Sequence, residues 1–425
     1  MNIEELYALY QQHPSVETDT RKIKKGDLYF ALKGPKYNGN HFALQALEAG
    51  AAYCICDEET AVKDERIFLV DDVLETLQQL AKQHRQQFAI PFIAITGSNG
   101  KTTTKELVSA VLAKKYITYT TQGNLNNHIG VPLTILSIKK DAEMAVIEMG
   151  ANHRKEIEGY CKYTLPTHGI ITNCGKAHLE GFGGEEGVKK GKGELFEFIK
   201  ENNGTVFINT DYDYLAQMSM GIQKKVSYGE HDADLTGNIV KDDSFLEVSI
   251  TKGANIPLLK TQLVGGYNLP NILTAVCVGK TFNVPDEGIK DAIEAYTPSN
   301  SRSQLLLRNS NTVILDAYNA NPTSMKVAIE NFAKMEGNQK VVILGAMMEM
   351  GSANEAEHAA IVKLLMQFDW QKVVLVGKDF TNLPPAFLHF TDSLQAREWY
   401  QQQNFENTRI LLKGSRSMQM ERVIE

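Results

Sequence analysis

The stretch Ile95-Thr-Gly-Ser-Asn-Gly-Lys-Thr-Thr103 decides the fold. The apolar run Pro91-Phe-Ile-Ala-Ile95 feeds into Gly97 and Gly100, Lys101 and Thr102 follow, and helical spacing runs over 102–114. Glycines let successive backbone N–H groups turn toward one anion, and a helix N-terminus adds partial positive charge. In that setting Lys101 reaches for terminal phosphates and Thr102 offers its hydroxyl to Mg2+. The general phosphate-loop pattern wants a glycine where Ile95 stands, so the match is to a shorter spacing, with Ser98 and Asn99 alone between the glycines. The competing reading is a glycine turn beside an incidental lysine. The strand–turn–helix context and the Gly-Lys-Thr triplet weigh against it.

Working outward, Ala145-Val-Ile147, Gly169-Ile-Ile-Thr172 and Val206-Phe-Ile-Asn209 alternate with helical stretches, the signature of a parallel sheet covered by helices. Residues 226–264 read as antiparallel strands appended to it, and 268–280 returns to helix. On the N-terminal side, Asp27-Leu-Tyr-Phe-Ala-Leu32, Ala51-Ala-Tyr-Cys-Ile-Cys56 and Ile67-Phe-Leu-Val70 read as strands. Helices are predicted over 41–50 and over 74–88, the latter with Leu74, Leu77, Leu80 and Ala81 on one face. On the C-terminal side, Val313-Ile-Leu315, Lys340-Val-Val-Ile-Leu344, Val373-Val-Leu-Val376 and Ile410-Leu-Leu412 suggest a second, smaller, doubly wound sheet. The expected class is α/β in three domains, 1–88, 89–297 and 298–425, with the last boundary near Thr297-Pro-Ser-Asn-Ser-Arg302.

A chain of 425 residues exceeds what one core usually supports, and 43% hydrophobic with 22% charged residues excludes general disorder. A formal charge of −7 argues against a general nucleic-acid binder but allows a local basic pocket. Five cysteines at irregular spacing (54, 56, 161, 174, 277) fit neither a disulfide framework nor a paired zinc site, so packing is expected of them. The acidic N-terminus and the lack of a long apolar run predict a soluble cytoplasmic protein without membrane insertion.

Glu148 ends an apolar strand and is followed by Met149-Gly150; beside a phosphate loop it is placed to meet a nucleotide's magnesium, whereas alone it would read as a solvated strand end. His178 lies just past another strand, where a structural role competes with a ligand role. Lys192 opens a basic helix start and is not distinguishable by composition from Lys189 and Lys190. Asn268 and Asn271 open a helix, which asparagine also caps. Asp316, in Ile314-Leu-Asp-Ala-Tyr-Asn-Ala-Asn-Pro322, precedes a run of amides that can bond sugar hydroxyls, a base or its own backbone.

Taken in order, these pieces resemble the Mur ligases, which build the peptide stem of bacterial cell-wall precursors. Thr18-Asp-Thr-Arg21, Gly26-Asp-Leu-Tyr-Phe-Ala-Leu-Lys-Gly34, the phosphate loop, Asn124-Leu-Asn-Asn-His-Ile-Gly-Val-Pro132, Glu148-Met-Gly150, Ala177-His178, Lys192-Gly-Glu-Leu-Phe196, Asn268, Arg302 and Asp316 carry the likeness over nearly the whole chain. Asp316-Ala-Tyr-Asn-Ala-Asn-Pro322 and Leu344-Gly-Ala-Met-Met-Glu-Met-Gly351 with His358 are similar to the branch that adds D-alanyl-D-alanine; Ala346 departs from an aspartate often found there. The resemblance implies a UDP-binding N-terminal domain, a central ATPase and a Rossmann-like C-terminal domain for the incoming dipeptide. It implies a monomer that uses ATP and Mg2+ to join D-alanyl-D-alanine to UDP-N-acetylmuramoyl-tripeptide through an acyl phosphate. Gly97, Ser98, Asn99, Gly100, Lys101, Thr102 and Thr103 resemble the phosphate cradle. Thr102 and Glu148 resemble ligands of one Mg2+ and His178 a ligand of a second; Lys192 matches a lysine carbamylated in sister ligases. Asn268, Arg302 and Asp316 resemble contacts to adenine, phosphate and ribose, while Thr20, Arg21, Asn124 and Asn127 are candidates for the UDP-muramoyl substrate. A sister ligase adding the third amino acid, or a nucleotide-binding switch without ligase activity, is the alternative.

Overall fold

The computed structural model describes residues 1–299, 301–337 and 339–425; Asn300, in the predicted boundary segment, lies outside them. The chain forms a mixed α/β structure around three large sheets. The first is parallel, with strands Val16–Glu17, Leu28–Phe30, Tyr53–Cys56 and Ile67–Leu69 in chain order. Alternation sends Leu28, Phe30 and Ile55 to the face covered by Leu6, Tyr10, Leu77 and Leu80, and Tyr29, Cys54 and Cys56 to the face covered by Ala43 and Ala46. Cys54 and Cys56 are fully buried free thiols, as packing requires, and burial pushes both up to about 12.

The helix predicted over 74–88 is Val73–Arg85, begun one residue earlier because Asp72 accepts from Glu75 N at 2.7 Å. It ties this sheet to the next. Leu77 and Leu80 share one core with Val131, Ile135 and Leu136, and the Arg85 guanidinium donates to Thr164 O and Leu165 O while lying 3.7 Å from the Phe92 ring centroid. That buried arginine is held by carbonyls, and desolvation lowers it to about 10.

The central sheet has nine strands. Its parallel part runs Lys224–Gly229, Thr205–Asn209, His168–Ile171, Phe92–Thr96, Met144–Glu148, Thr118–Thr120. The order reverses at Phe92–Thr96, so the loop after it opens at the switch point where such sheets bind ligands. Leu235–Lys241, Glu247–Lys252 and Leu259–Lys260 form the antiparallel extension. The expectation for 226–264 needs one correction. Val226–Gly229 runs parallel to Phe207 and its neighbours, because the strand before it belongs to the wound sheet and only the hairpin beyond residue 235 doubles back.

The third sheet runs Gln304–Arg308, Asn311–Asp316, Arg409–Lys413, Lys340–Gly345, Lys372–Val376, Leu388–Phe390, parallel but for the first strand. Its first and last strands were not foreseen, being edge strands with little or no apolar alternation. Among the described residues no helix is long and apolar enough to cross a membrane.

Candidate active site

A cleft of about 670 Å3 opens between the central and C-terminal sheets, over the end of strand Phe92–Thr96. Its floor is the phosphate loop. Gly97 has φ +146°, and a Cβ there would sit 1.9 Å from Thr172 Oγ1; Gly100 has φ +79°, and a Cβ would meet Asn271 Oδ1 at 2.5 Å. Both positions therefore need glycine on two counts, backbone conformation and space. Helix Lys101–Leu112 starts at once and aims its unpaired N–H groups into the cleft. The Lys101 amine folds back to donate to Gly97 O at 2.7 Å and Ser98 O at 3.1 Å. Burial lowers it to about 8, an effect opposed by Glu148 and reinforced by Arg302. A phosphate against it would restore the ammonium form, since an opposite charge favours the charged state.

Glu148 is almost wholly buried. Oε1 accepts from Thr102 Oγ1 at 3.1 Å and from Asn126 Nδ2 at 2.7 Å, while Oε2 is buried with no hydrogen-bond partner. An orphaned carboxylate oxygen beside a threonine hydroxyl and a phosphate loop fits a Mg2+ site. Among the described residues no group of three or more His, Cys, Asp or Glu side chains could hold a metal. A cation here would draw its remaining oxygens from phosphates and water, as Mg2+ commonly does.

His178 lines the cleft at φ +52° and pairs through Nδ1 with Glu349, reaching across from the C-terminal side; the contact holds the Glu349 carboxyl below its usual range. Lys192 does not line the cleft. It lies behind it, 1% exposed, its amine donating to Ala151 O at 3.0 Å and standing 5.0 Å from the Phe182 ring centroid. Burial, with Lys101 nearby, pushes Lys192 down to about 7.

On the other wall, Asn268 Nδ2 donates to Val264 O, and Asn271 bridges Asn268 Oδ1 to Thr104 Oγ1, so neither side chain caps the helix they open and the capping reading does not hold. Arg302 stacks 3.5 Å over the Tyr318 ring centroid. Asp316 accepts from Ser303 N at 3.2 Å and pairs with the buried Lys413 amine at 2.5 Å. Ser98, Asn99, Thr103 and Asn124 also line the cleft. Asn127 does too, but its side-chain oxygen caps Gly130–Leu136, accepting from Ile129 N and Gly130 N.

Thr20 and Arg21 stay outside. They sit in the short helix Thr20–Lys22, with Arg21 exposed and paired to Asp19 at 2.7 Å. Sequence reasoning missed Asn126, Tyr318, Asn321, Glu349 and Lys413. Asn126 sat between two chosen asparagines, but its partner is 22 positions away and nothing local marks it. His358 is structural: Nδ1 donates to Asn354 O and Nε2 accepts from Met347 N, fixing the loop that carries Glu349.

Three families match along the chain: the Mur ligase family catalytic domain over residues 14–85, the Mur ligase middle domain over 95–279, and the Mur ligase glutamate ligase domain over 301–416. The UDP-N-acetylmuramoyl-tripeptide–D-alanyl-D-alanine ligase of Bacillus subtilis is 32% identical, covering 96% of this chain and 92% of its own. The ligase of the same name from Escherichia coli is 34% identical with the same coverage. The structure of MurF ligase from Thermotoga maritima in complex with ADP superimposes with a TM-score of 0.85 at 26% identity, covering 96% of each chain.

Proposed function

The chain belongs to the Mur ligase family of ATP-dependent amide ligases, and from that premise we propose that it joins D-alanyl-D-alanine to UDP-N-acetylmuramoyl-tripeptide. In this reading residues 1–88 hold the UDP-sugar, 89–297 hold ATP, and 298–425 receive the dipeptide. The chain acts in the cytoplasm as a monomer. The observation that carries the reading is the convergence in one cleft of the phosphate loop, the half-satisfied Glu148, and His178, Arg302 and Asp316 drawn from two sheets.

The tripeptide's terminal carboxylate attacks the γ-phosphorus of ATP; the bond to the β–γ bridging oxygen breaks and ADP leaves. The amine of D-alanyl-D-alanine then attacks the acyl carbon and loses a proton, and phosphate departs with the electrons of the acyl–oxygen bond. Such chemistry is driven by charge neutralisation and alignment and needs no protein nucleophile. The backbone N–H groups at the start of helix Lys101–Leu112 and the Lys101 ammonium hold the transferred phosphoryl, with Arg302, splinted by Tyr318, on its far side. Asn268 faces adenine and Asp316 the ribose. Thr102 and Glu148 would hold one Mg2+ and the free ring nitrogen of His178 a second; bound there, the ions would neutralise charge on the phosphates. The buried Lys192 amine is suited to add CO2, because only a neutral amine does so. Asn124 and Asn127, with Thr20 and Arg21 in the first region, are the contacts expected for the UDP-muramoyl substrate.

The test is ADP release by the purified chain with UDP-muramoyl tripeptide and a panel of amines. Turnover with D-alanyl-D-alanine is expected. Turnover with a single free amino acid, or without any amine, would overturn the assignment in favour of a sister ligase or a nucleotide switch.

A further inference from the structure

We propose that Asn321 is a positioning residue through which the C-terminal region sets the phosphate loop, so that the loop is fully ordered for ATP only when that region is docked on it. The inference deepens the ligase reading above and rests on it.

Asn321 is 7% exposed and commits both halves of its amide. The oxygen accepts from Ser324 N at 2.9 Å and caps helix Pro322–Lys334; the nitrogen donates to Asn99 Oδ1 at 2.7 Å. Asn99 belongs to the phosphate loop, and its backbone is already pinned from the central sheet. Its N–H donates to Asn173 Oδ1 at 3.0 Å, and its carbonyl accepts from Thr172 Oγ1 at 2.6 Å and Asn173 Nδ2 at 3.1 Å. Its side chain is gripped from the other region. A residue between the loop's two glycines is thus held from both sides of the cleft.

The far end of the same helix is also fastened to the central region. Asn331 Nδ2 donates to Asp242 Oδ2 at 2.7 Å, Glu336 N donates to Asp243 Oδ1 at 3.0 Å, and Arg409 Nη1 donates to Asp243 O at 2.9 Å. Asp242 Oδ2 accepts in addition from Gly266 N at 2.9 Å, next to Tyr267 and Asn268 of the cleft. A helix of 13 residues, about 20 Å at the usual rise, is therefore held at both ends by the central region, at one end on the phosphate loop. The cleft end is held as well by Thr323 Oγ1, which accepts from Lys176 N at 2.9 Å, but of these bonds it is Asn321–Asn99 that reaches the phosphate loop itself. Undocking the C-terminal region would release Asn99, and ATP bound to the cradle favours the docked state by the same coupling, since linkage is reciprocal.

The test uses the full-length chain and variants that spare the helix. Asn321→Ser keeps an oxygen able to cap but is too short to reach Asn99, and serine caps about as well as asparagine. ATP affinity is measured by titration with no amine present, and nucleotide-linked compaction by small-angle scattering. Asn321→Ser is expected to weaken ATP binding by up to about 10-fold, the scale of one neutral hydrogen bond, and to reduce compaction, with unfolding temperature unchanged. Asn99→Ala should have a similar effect, and the double variant should be no weaker than the worse single one, because both remove the same bond. Multiplying effects, or an Asn321→Ser protein with unchanged ATP affinity and compaction, would overturn the proposal. Asn321→Thr, which also caps, is too short to reach Asn99 and adds no charge, supplies the same comparison if the serine variant does not fold. A chain that binds ATP in this coupled way but releases no ADP with D-alanyl-D-alanine would refute the ligase assignment and leave the coupling standing.

Discussion

Lys192 is an amine surrounded by apolar atoms and one carbonyl, and the physics of that position is specific. Burial without a carboxylate partner favours the neutral form, and the ammonium of Lys101 nearby adds to the effect, which together bring Lys192 down to about 7. Two consequences follow, and both rise with pH. Between about 7 and the ordinary lysine value the unfolded chain binds a proton that the folded chain does not, so this residue makes stability rise with pH across that window. Because CO2 adds only to the neutral amine, activity at fixed CO2 should likewise climb from pH 6 to pH 8. Lys192→Ala should lose turnover that short carboxylic acids partly restore; full activity in that variant, without added acid, would show that no carbamate is used. Lys101 is read differently. Its amine already lies over the loop, donating to Gly97 O and Ser98 O, so Lys101→Ala removes a charge from the phosphates while leaving the fold in place. Turnover should drop by at least about 100-fold, the scale for losing one transition-state charge stabiliser. An unchanged rate in the folded variant would remove the phosphate-loop assignment.

At the scale of elements, helix Val73–Arg85 shows what a sequence does and does not disclose. Its apolar stripe was legible, since Leu77, Leu80 and Ala81 are fully buried. Its first turn was placed one residue late because the cap, Asp72, was passed over. The Asp72 side chain accepts from Glu75 N, so Asp72→Ala should cost about 1 kcal/mol, read as a lower midpoint in urea with ATP turnover retained by the folded fraction. Strands of the parallel sheets were equally legible, because burial on both faces leaves continuous apolar runs such as Phe92–Thr96 and Met144–Glu148. Edge strands were not: Gln304–Arg308 is half wet, and Leu388–Phe390 is short and carries His389. The site divided along the same line. Phosphate-loop residues and Glu148 are marked by local context, so they could be named in advance. Glu349, Lys413 and Asn321 acquire meaning only from partners 97 to 222 positions away, on a neighbouring strand or across the cleft, which no local pattern records.

For the whole molecule, the question is how water is kept from an acyl phosphate while an amine is let in. The cleft is bridged between its two sides by Lys176 with Glu357 at 2.7 Å, His178 with Glu349, and Asn321 with Asn99, so the arrangement seen is one in which the C-terminal region is docked on the central one. Asp316 neutralises Lys413, which is 2% exposed on the neighbouring strand of its own sheet, and in the proposed reading it would join the two regions only through the nucleotide. Asp316→Ala would strand a buried ammonium at a cost of about 3–5 kcal/mol, so the informative change is Asp316→Asn, which loses the charge but keeps the shape and an oxygen to accept from the Lys413 amine. It should raise the KM for ATP and weaken closure, with UDP-tripeptide affinity, held mainly by the first region, nearly intact; a loss of UDP-tripeptide binding of the same size would count against the division of labour. On the proposed assignment of the dipeptide to residues 298–425, the same closure would set the chirality of the amine. A docked pocket has a wall where an open groove has solvent, so a dipeptide of the opposite hand must drive one methyl group into protein. Overpacking of that kind typically costs about 1–3 kcal/mol, or roughly 10- to 100-fold in rate at about 1.4 kcal/mol per factor of ten. ADP release should therefore be faster with D-alanyl-D-alanine than with L-alanyl-L-alanine by about that factor, at saturating ATP and UDP-tripeptide. Equal rates would mean that the amine enters a site the C-terminal region does not enclose, and the dipeptide assignment would fail with it.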